Sequence, residues 1–266
     1  MAEPVDSPEV RRLIFKAYRD YFDRAEKKRR WNVREDIPWD QCNKDVDPIV
    51  ADCVQTFCMV EMYLPDYLAK QLPPVRANRG RAWMLANWGY EESKHSLALE
   101  DWLVRSGKRT EKQVEAMADG LLEREWNVHY GEPRAAVIYT MFQELATQLH
   151  YRNLRKIVDK KDPALDKVLE LLSIDEAAHA HFFRQLVEIY LEHDREATLE
   201  QFRKVVNTFH MPADQLLSDS KQRIANIRAL KLFDEEIFYK EVYSPIMHRL
   251  NLTKADLKPK KIFRAA

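Results

Sequence analysis

Two segments of the sequence place a glutamate three residues before a histidine. Glu92 and His95 form the first pair, and Glu176 and His179 form the second. Residues three apart share one face of a helix, so each pair can direct a carboxylate and an imidazole to the same point. Both helical faces continue in apolar side chains. Ionisable groups in such positions are costly to bury unless they are paired or bind a metal.

Glu61 and Glu144 occupy comparable positions in two other apolar runs. Each is the only acidic residue of its run, 54–64 or 138–147. Glu61 precedes Glu92 by 31 residues, and Glu144 precedes Glu176 by 32. This spacing predicts two helix pairs that each supply one Glu and one Glu-x-x-His. The candidate metal ligands are therefore Glu61, Glu92, His95, Glu144, Glu176 and His179.

Four carboxylates and two imidazoles are the ligand set of the ferritin-like di-iron and di-manganese bundles. Oxygen-rich ligation favours iron or manganese over zinc or copper, and we expect two iron ions (Fe2+/Fe3+). One Glu-x-x-His alone would be a weak signal, because any long helix can contain it by chance. The alternative, unrelated surface acids and core histidines, leaves the matched spacing and the apolar faces unexplained.

An acidic residue directly precedes the glutamate of each Glu-x-x-His. A histidine that binds a metal usually donates its other N–H to a carboxylate. We expect Asp175 to pair with His95, and Glu91 with His179. Asp175 is therefore a candidate catalytic residue that supports turnover rather than holding the metal. The alternative for either acid is a solvated position on the helix surface.

The elements that must position these groups are predicted to be helices. With only five glycines and no clear two-residue alternation, the chain reads as all-α. Pro65, four residues after Glu61, removes a hydrogen bond to the Glu61 carbonyl and predicts a bend. The basic run 27–30 is interpreted as a solvated helix end. Helices are expected at 7–30, 48–72, 76–106, 111–126, 133–159, 163–193, 195–209 and, as one or two helices, 221–250.

These helices predict one domain, 1–266, with a ferritin-like four-helix bundle as its core and additional flanking helices. An N-terminal helix and connector (1–45) would precede the bundle, and C-terminal helices with a basic tail (195–266) would flank it. Equal numbers of basic and acidic residues, 43 of each, give no reason to expect a nucleic-acid partner. The sequence contains no run of 18 apolar residues, so no membrane span is predicted. Three cysteines without metal or disulfide spacing, and no secretory signal, favour a cytoplasmic protein.

Three stretches of the sequence resemble the soluble acyl-carrier-protein (ACP) desaturases of the stearoyl-ACP type. Residues 61–67 are similar to the pattern Glu-x-x-Leu-Pro-x-Tyr of that family. Residues 88–95 resemble its Trp-x-x-Glu-Glu-x-Arg-His, with Lys94 in place of arginine. Residues 139–147 resemble its Tyr-Thr-x-Phe-Gln-Glu-x-Ala-Thr. The resemblance is good over about 46–215 and poor at both ends.

The resemblance implies roles for individual positions. Glu92 and Glu176 would bridge the two irons, Glu61 and His95 would complete one, and Glu144 and His179 would complete the other. Thr147 matches a threonine beside the oxygen site and would be a proton donor; the alternative is a hydroxyl bonded to its own helix. Trp31 resembles a tryptophan on the electron route, with a plain packing role equally open. Beyond Thr147 the family has a histidine, whereas this chain has His150 and Tyr151, which leaves the substrate open.

The resemblance implies an O2-dependent desaturase that acts on acyl-ACP, receives electrons from a ferredoxin-type donor and forms a homodimer. Another O2-activating di-iron oxidase, such as a hydroxylase or N-oxygenase, would use the same ligands. An iron-storage or ferroxidase protein and a manganese catalase are further alternatives. An acidic carrier requires a basic docking site. Candidates are Arg76, Arg79, Arg81, Arg152, Arg155, Lys156, Lys258, Lys260, Lys261 and Arg264.

Overall fold

A computed structural model describes residues 6–121, 123–126, 130–217 and 219–258. Within these ranges the secondary structure is helical and contains no β-strand, which confirms the all-α prediction. Four long helices form the central bundle: α2 (Pro48–Glu61), α4 (Arg79–Arg105), α6 (Pro133–Val158) and α7 (Pro163–His193). α2 packs on α4, α6 packs extensively on α7, and α4 contacts α7. The two predicted helix pairs are therefore joined into one bundle.

Local signals in the sequence explain where the bundle helices begin and end. α2, α6 and α7 each begin with a proline, where no backbone N–H is needed. The carboxylates of Asp47 and Asp162 cap α2 and α7 by accepting backbone N–H groups at 3.0 and 2.9 Å. Gly107, with φ of 72°, follows α4, and Asp159, with φ of 41°, follows α6. Both residues adopt the left-handed conformation that ends many helices.

The predicted helix 48–72 is broken rather than bent. α2 ends at Glu61, and a separate helix, α3 (Leu64–Gln71), begins after Met62 and Tyr63. Pro65 has no N–H for the preceding turn. One residue before Glu61, the carbonyl of Val60 accepts a hydrogen bond from the hydroxyl of Tyr67 at 2.9 Å. The Leu-Pro-x-Tyr pattern therefore ends α2 at the candidate ligand Glu61, and its tyrosine donates a hydrogen bond to a backbone carbonyl next to the break.

The N-terminal helix α1 (Pro8–Lys28) lies across α4 and α7. Gly80 permits the close approach to α4, because a Cβ atom there would lie 2.7 Å from the backbone of Phe15. α1 buries Ile14, Tyr18 and Tyr21 on the apolar face that it turns to the bundle. This crossing carries the C-terminal end of α1, and the basic residues after it, to the middle of the bundle.

The other helices cover the outside of the bundle. α8 packs on α6 and α7, and α10 packs on α2. None of the described helices combines the length and the apolar character needed to cross a bilayer. The peripheral helices are α5 (Glu111–Leu121), α8 (Arg195–Thr208), α9 (Pro212–Leu216), α10 (Ser220–Ala229), α11 (Glu235–Ile237), a π-helical segment (Phe238–Tyr243) and α12 (Ser244–Arg249).

A polar layer divides the apolar core of the bundle into two clusters. On α4, for example, Trp88 belongs to one cluster and Leu99 to the other, and on α7 Phe183 and Leu172 are separated in the same way. The Glu-x-x-His pairs of α4 and α7 lie between these two clusters. The fold therefore encloses a set of ionisable groups at mid-height, where apolar side chains exclude water above and below.

Candidate metal centre

All six candidate ligands converge at the polar layer. Glu61 comes from the last residue of α2, Glu144 comes from α6, and α4 and α7 each supply a Glu-x-x-His pair. None of the six is more than 7 % exposed. The four bundle helices therefore bring their candidate ligands together at one buried point.

The six side chains form two overlapping groups. Glu61, Glu92, His95 and Glu176 make up the first, and in each group the donor atoms lie within 4.8 Å of one another. The second group consists of Glu92, Glu144, Glu176 and His179. Glu92 and Glu176 belong to both groups, which is the arrangement of bridging and terminal ligands that the resemblance implied.

Both imidazoles turn the same nitrogen toward the carboxylates. Nδ1 of His95 lies 3.0 Å from Oε2 of Glu92 and 3.3 Å from Oε1 of Glu176. Nδ1 of His179 lies 3.0 Å from Oε1 of Glu92 and 3.3 Å from Oε2 of Glu144. The two rings are 6.0 Å apart between centroids. Each imidazole therefore directs its Nδ1 atom toward carboxylate oxygens of two glutamates.

Several donor atoms of this cluster have no hydrogen-bond partner among the described residues, although they are buried. They include Oε1 of Glu144 and Oε2 of Glu176, together with Oε1 of Glu92 and both ring nitrogens of His95, whose contacts with neighbouring polar atoms lack hydrogen-bond geometry. Buried polar atoms are normally satisfied, so each exception needs an explanation. Two divalent cations would use these atoms as ligands and offset four negative charges. The residues present therefore fit a two-metal centre.

The electrostatics of the cluster agree with a need for added positive charge. Burial, with Glu92 and Glu176 nearby, raises the pKa of Glu61 well above its usual value. Burial and Glu176 have the same effect on the pKa of Glu144. Although burial opposes its protonation, the carboxylate of Glu92 raises the pKa of His95 well above its usual value. Carboxylates packed this closely attract either protons or metal ions.

The expected partners of the two histidines are present on the outer side of each ring. Nε2 of His179 lies 2.9 Å from Oε2 of Glu91, and Nε2 of His95 lies 3.5 Å from Oδ2 of Asp175. Both acids are buried, so the alternative of a solvated helix surface is wrong for each. Although burial disfavours its ionisation, the contact with His95 lowers the pKa of Asp175 to about 2. Both acids therefore can orient the imidazole that they face.

The interpretation of 27–30 as a solvated helix end is wrong for Arg29 and Arg30. Arg29 donates to Asp175 at 2.6 Å, and Arg30 donates to Glu91 at 2.7 Å. Lys28, one residue earlier, is exposed as predicted. The close crossing of α1 over α4 brings these guanidinium groups to buried carboxylates that need counter-charges.

Trp31 is more than a packing residue. Its Nε1 donates to Oδ2 of Asp175 at 2.8 Å, which links the indole to His95 through one carboxylate. The ammonium group of Lys94, where the resembling family has arginine, lies 4.2 Å from the centroid of the Trp31 ring. This ammonium is buried and, among the described residues, has no hydrogen-bond partner. Trp31 is thus linked to the candidate ligand His95 through Asp175, and its ring is close to the positive charge of Lys94.

Two buried tyrosines touch the centre and were not found by sequence reasoning. The hydroxyl of Tyr151 donates to Oε1 of Glu61 at 2.5 Å, and the hydroxyl of Tyr21 donates to Oε2 of Glu91. The departure from the family pattern just beyond Thr147 was the only signal for Tyr151. Tyr21 looked like any other member of the apolar face of α1. One phenol therefore donates to the candidate ligand Glu61, and the other donates to Glu91, the acid that faces the outer nitrogen of His179.

A cavity of about 550 Å³ reaches the first group of ligands. The wall of the cavity includes the buried or half-buried residues Glu61, Thr147 and Tyr151. His150 also lines the cavity, and its ring stacks on that of Phe233 with 4.4 Å between the centroids. Burial lowers the pKa of His150 to about 4, so the ring is neutral at pH 7. Among the described residues, the hydroxyl of Thr147 has no hydrogen-bond partner. The alternative that this hydroxyl bonds to its own helix is therefore wrong. The cavity wall is otherwise mostly apolar, with exposed charged residues at the opening.

The basic residues predicted to dock an acidic carrier differ in their burial and in their partners. Arg81 is wrong as a docking candidate, because it is buried and donates to the hydroxyl of Tyr190 and to the carbonyl of Pro133 at 3.1 and 2.8 Å. Arg155 forms ion pairs with Asp166 and Glu170. Three residues of the basic tail, Lys260, Lys261 and Arg264, lie outside the described residues.

A family model described as fatty acid desaturase matches residues 49–254. The chain belongs to this family. DesA1 of Mycobacterium tuberculosis, an acyl-carrier-protein desaturase by name, is 25 % identical over 82 % of this chain and 70 % of its own length. Stearoyl-ACP 9-desaturase 4 of Arabidopsis thaliana is 30 % identical over 66 % of this chain and 43 % of its own length. The chain thus spans less than half of this plant relative.

Solved structures support the ferritin-like fold. The X-ray structure of DesA2 from Mycobacterium tuberculosis H37Rv has a TM-score of 0.71, 15 % identity, and coverage of 92 % of this chain and 95 % of its own. An R2-like ligand-binding oxidase with a Mn/Fe cofactor has a TM-score of 0.59 at 17 % identity, with 91 % and 93 % covered. The predicted helical bundle with flanking helices is therefore confirmed as a fold.

Proposed function

We propose that this chain is an O2-dependent di-iron desaturase that introduces a double bond into a saturated acyl chain carried on acyl carrier protein. The observation that carries the proposal is the mostly apolar cavity that ends at Glu61 and Thr147, beside the first group of ligands. Its volume of about 550 Å³ is within the usual range for pockets that bind small molecules. Membership of the fatty acid desaturase family supports the same reaction.

In this proposal the two groups of ligands hold two iron ions, with Glu92 and Glu176 shared between them. Iron bound there supplies the activation of O2 and the oxidising power that C–H bonds require. The overall reaction balances as a CH2–CH2 unit, O2, two electrons and two protons giving CH=CH and two waters. The protein supplies a dry site and holds the acyl chain next to the metals.

Two sets of residues would deliver protons and electrons. The hydroxyl of Thr147 lines the cavity near Glu61, where it would serve as a proton donor. Trp31, in the segment after α1, is linked to the candidate ligand His95 through Asp175, by contacts of 2.8 and 3.5 Å. We propose that electrons from a ferredoxin-type donor enter along these contacts. Asp175 would thereby serve turnover while leaving the metals bound.

The carrier and the oligomeric state are also part of the proposal. The carrier is proposed from family membership, because the cavity wall has two basic residues, Lys221 and Arg228, balanced by two acidic ones, Asp234 and Glu235. Arg228 is paired with Glu235. Family membership supports a homodimer.

Mass spectrometry of the product tests the reaction type. Purified protein would be given stearoyl-ACP, ferredoxin, a reductase, NADPH and O2. A loss of two mass units from the acyl chain is expected. A gain of sixteen would instead indicate a hydroxylase, and Fe(II) oxidation with an unchanged acyl chain would indicate an iron-handling protein; either outcome would refute the desaturase proposal.

A matched variant tests the cavity. Ile224 lines the cavity but is not among the candidate ligands. Ile224→Trp should obstruct the acyl chain and abolish the product while the iron content stays unchanged. Full activity of this variant would show that the acyl chain binds elsewhere.

A further inference from the structure

His150 is a buried histidine in the wall of the proposed acyl cavity, and the reaction proposed above gives it no role. The residue is only 6 % exposed. Its ring stacks on Phe233 at 4.4 Å and packs edge-on against Phe57 at 5.5 Å between centroids. These two contacts fix the plane of the imidazole, so its two nitrogens have fixed directions.

The position of the proton on this imidazole follows from its contacts. Nδ1 of His150 lies 2.8 Å from the carbonyl oxygen of Ala146. A carbonyl oxygen can only accept a hydrogen bond, so Nδ1 carries a proton. Burial lowers the pKa of His150 to about 4, so at pH 7 the ring holds this one proton. Nε2 therefore presents a lone pair and is a hydrogen-bond acceptor.

This acceptor faces the cavity. Among the described residues, Nε2 of His150 has no hydrogen-bond partner, because the one bond of the ring is made by Nδ1. Unlike the nitrogens of His95, Nε2 is not enclosed by protein atoms, so it borders the cavity that the residue lines. A ligand that covers an acceptor without supplying a donor loses affinity. The cavity therefore favours a ligand with a donor at this point.

Two other polar groups of the cavity wall already have partners within the protein. The hydroxyl of Tyr151 donates to Glu61 at 2.5 Å. The hydroxyl of Thr56 donates to a backbone carbonyl of its own helix at 2.8 Å and accepts from Arg223 at 3.0 Å. Nε2 of His150 is thus an unused acceptor in a wall that is mostly apolar.

We propose that Nε2 of His150 accepts a hydrogen bond from a hydroxyl group on the acyl chain. The preferred substrate is then a hydroxyacyl chain, and an unsubstituted chain is a poorer one. The identification of the bound molecule as an acyl chain rests on the proposed function, whereas the preference for a donor rests on the geometry of the imidazole.

The pantetheine arm of a carrier also has N–H donors, but the position of His150 favours the acyl chain. His150 follows Thr147 by three residues on α6, and residues with this spacing lie about 5–6 Å apart between Cβ atoms. Thr147 lines the cavity together with the candidate ligand Glu61. The acceptor therefore lies about one helical turn from the residues that would surround the reacting carbons.

Ligand binding tests the proposal without turnover. Iron-loaded protein without a reductant would be titrated with hexadecanoic acid, its monohydroxy isomers and the corresponding methoxy acids, each displacing a fluorescent fatty acid. At least one hydroxy acid should bind on the order of tenfold more tightly than hexadecanoic acid. The matching methoxy acid should show no gain, because an ether oxygen has no hydrogen to donate. Equal affinities for hexadecanoic acid and every hydroxy isomer, or an equal gain for the methoxy acid, would overturn the proposal.

His150→Phe is the matched variant, because its ring can still stack on Phe233 while the acceptor is lost. Its circular dichroism and iron content should equal those of the parent, and the preference for the hydroxy acid should disappear. His193→Phe is the control, because Nδ1 of His193 makes the same bond to a carbonyl four residues earlier but the residue is exposed at the end of α7. This control should keep the preference. A preference that persists in His150→Phe would overturn the proposal.

The alternative source of the donor is separated by a further ligand. Hexadecanoyl-pantetheine contains the amide groups of the carrier arm and no hydroxyl on the acyl chain. Tenfold weaker binding of this thioester to His150→Phe, with no hydroxyl preference in the parent, would assign Nε2 to the arm and overturn the proposal. Unchanged binding of the thioester is expected.

Product analysis separates this inference from the proposed reaction. With ferredoxin, a reductase, NADPH and O2, kcat/KM for the preferred hydroxyacyl-ACP should exceed that for the unsubstituted acyl-ACP by about tenfold, and His150→Phe should bring the ratio close to one. Double-bond formation without this preference would overturn the inference and leave the desaturase proposal intact. A hydroxyl preference in binding, with no double bond in any product, would support the inference and refute the desaturase proposal.

Discussion

Replacing Tyr151 with phenylalanine would remove one hydroxyl group and leave the aromatic ring in place. Tyr151 is fully buried, and its ring packs edge-on against Phe57 at 5.5 Å between centroids. The lost contact is the 2.5 Å hydrogen bond to Oε1 of Glu61. That bond favours the ionised form of Glu61, which is the form that a metal requires. Tyr151→Phe should therefore weaken the metal held by Glu61 and His95.

The expected loss of metal affinity follows from the strength of the hydrogen bond between Tyr151 and Glu61. A hydrogen bond to a charged group contributes about 1.5–3 kcal/mol, and each 1.4 kcal/mol corresponds to about tenfold in affinity. The metal beside Glu61 should bind about 10–100-fold more weakly, as for other residues that support a metal ligand. The metal beside Glu144 and His179 should be affected much less, because Tyr151 contacts neither residue in the described structure.

Stepwise Co(II) titration of metal-free protein, followed by visible absorption, would resolve the two affinities. Tyr21→Phe is the matched variant, since it removes the hydroxyl that donates to Glu91 behind His179. It should weaken the other metal. Tyr130→Phe is the control, because that hydroxyl bonds to Thr208 away from the centre. Equal effects of Tyr151→Phe on both metals, or none on either, would refute the role assigned to Tyr151.

Three further substitutions, the last with a matched control, probe the centre and its surroundings. Glu92→Ala should remove both metals, because both groups share this carboxylate; one metal per chain by elemental analysis would argue against sharing. In metal-free protein, Asp175→Asn should cost about 2 kcal/mol at pH 7, from a pKa lowered to about 2. This stability is present above the unfolded pKa and is lost as pH falls toward 2, so urea unfolding of parent and variant should converge there. Arg29→Gln should lower the free energy of unfolding by about 3 kcal/mol, because it leaves Asp175 buried without its counter-charge. The control, Lys28→Gln, should change the free energy of unfolding by less than about 0.5 kcal/mol. Equal effects of the two substitutions would mean that Arg29, like Lys28, is a solvated residue at the helix end.

The convergence of the six candidate ligands could be predicted because each of them has a local signature. A Glu-x-x-His occupies one turn of one helix, and Glu61 and Glu144 stand out as single acids in apolar runs. Capping signals are equally local, and the predicted helix 163–193 agrees with the structure at both ends. The predicted bend at Pro65 became a break, since the sequence gives no measure of how far a bundle tolerates a lost hydrogen bond.

The surroundings of the ligands could not be predicted, because their contacts join distant parts of the chain. Arg29 and Asp175 are 146 residues apart, and Tyr151 and Glu61 are 90 apart. Whether a basic residue at a helix end faces water or a buried acid depends on where that helix crosses the bundle. Here the crossing depends on Gly80, whose contact with Phe15 has no signature in either segment alone.

The most direct measurement is the number and separation of metal ions in crystals of protein produced in iron-replete cells. Diffraction data collected on both sides of the iron absorption edge would locate them. Two anomalous peaks per chain are predicted, about 3.5–4 Å apart, with Glu92 and Glu176 in contact with both. A single peak, no peak, or two peaks away from these carboxylates would contradict the di-iron centre.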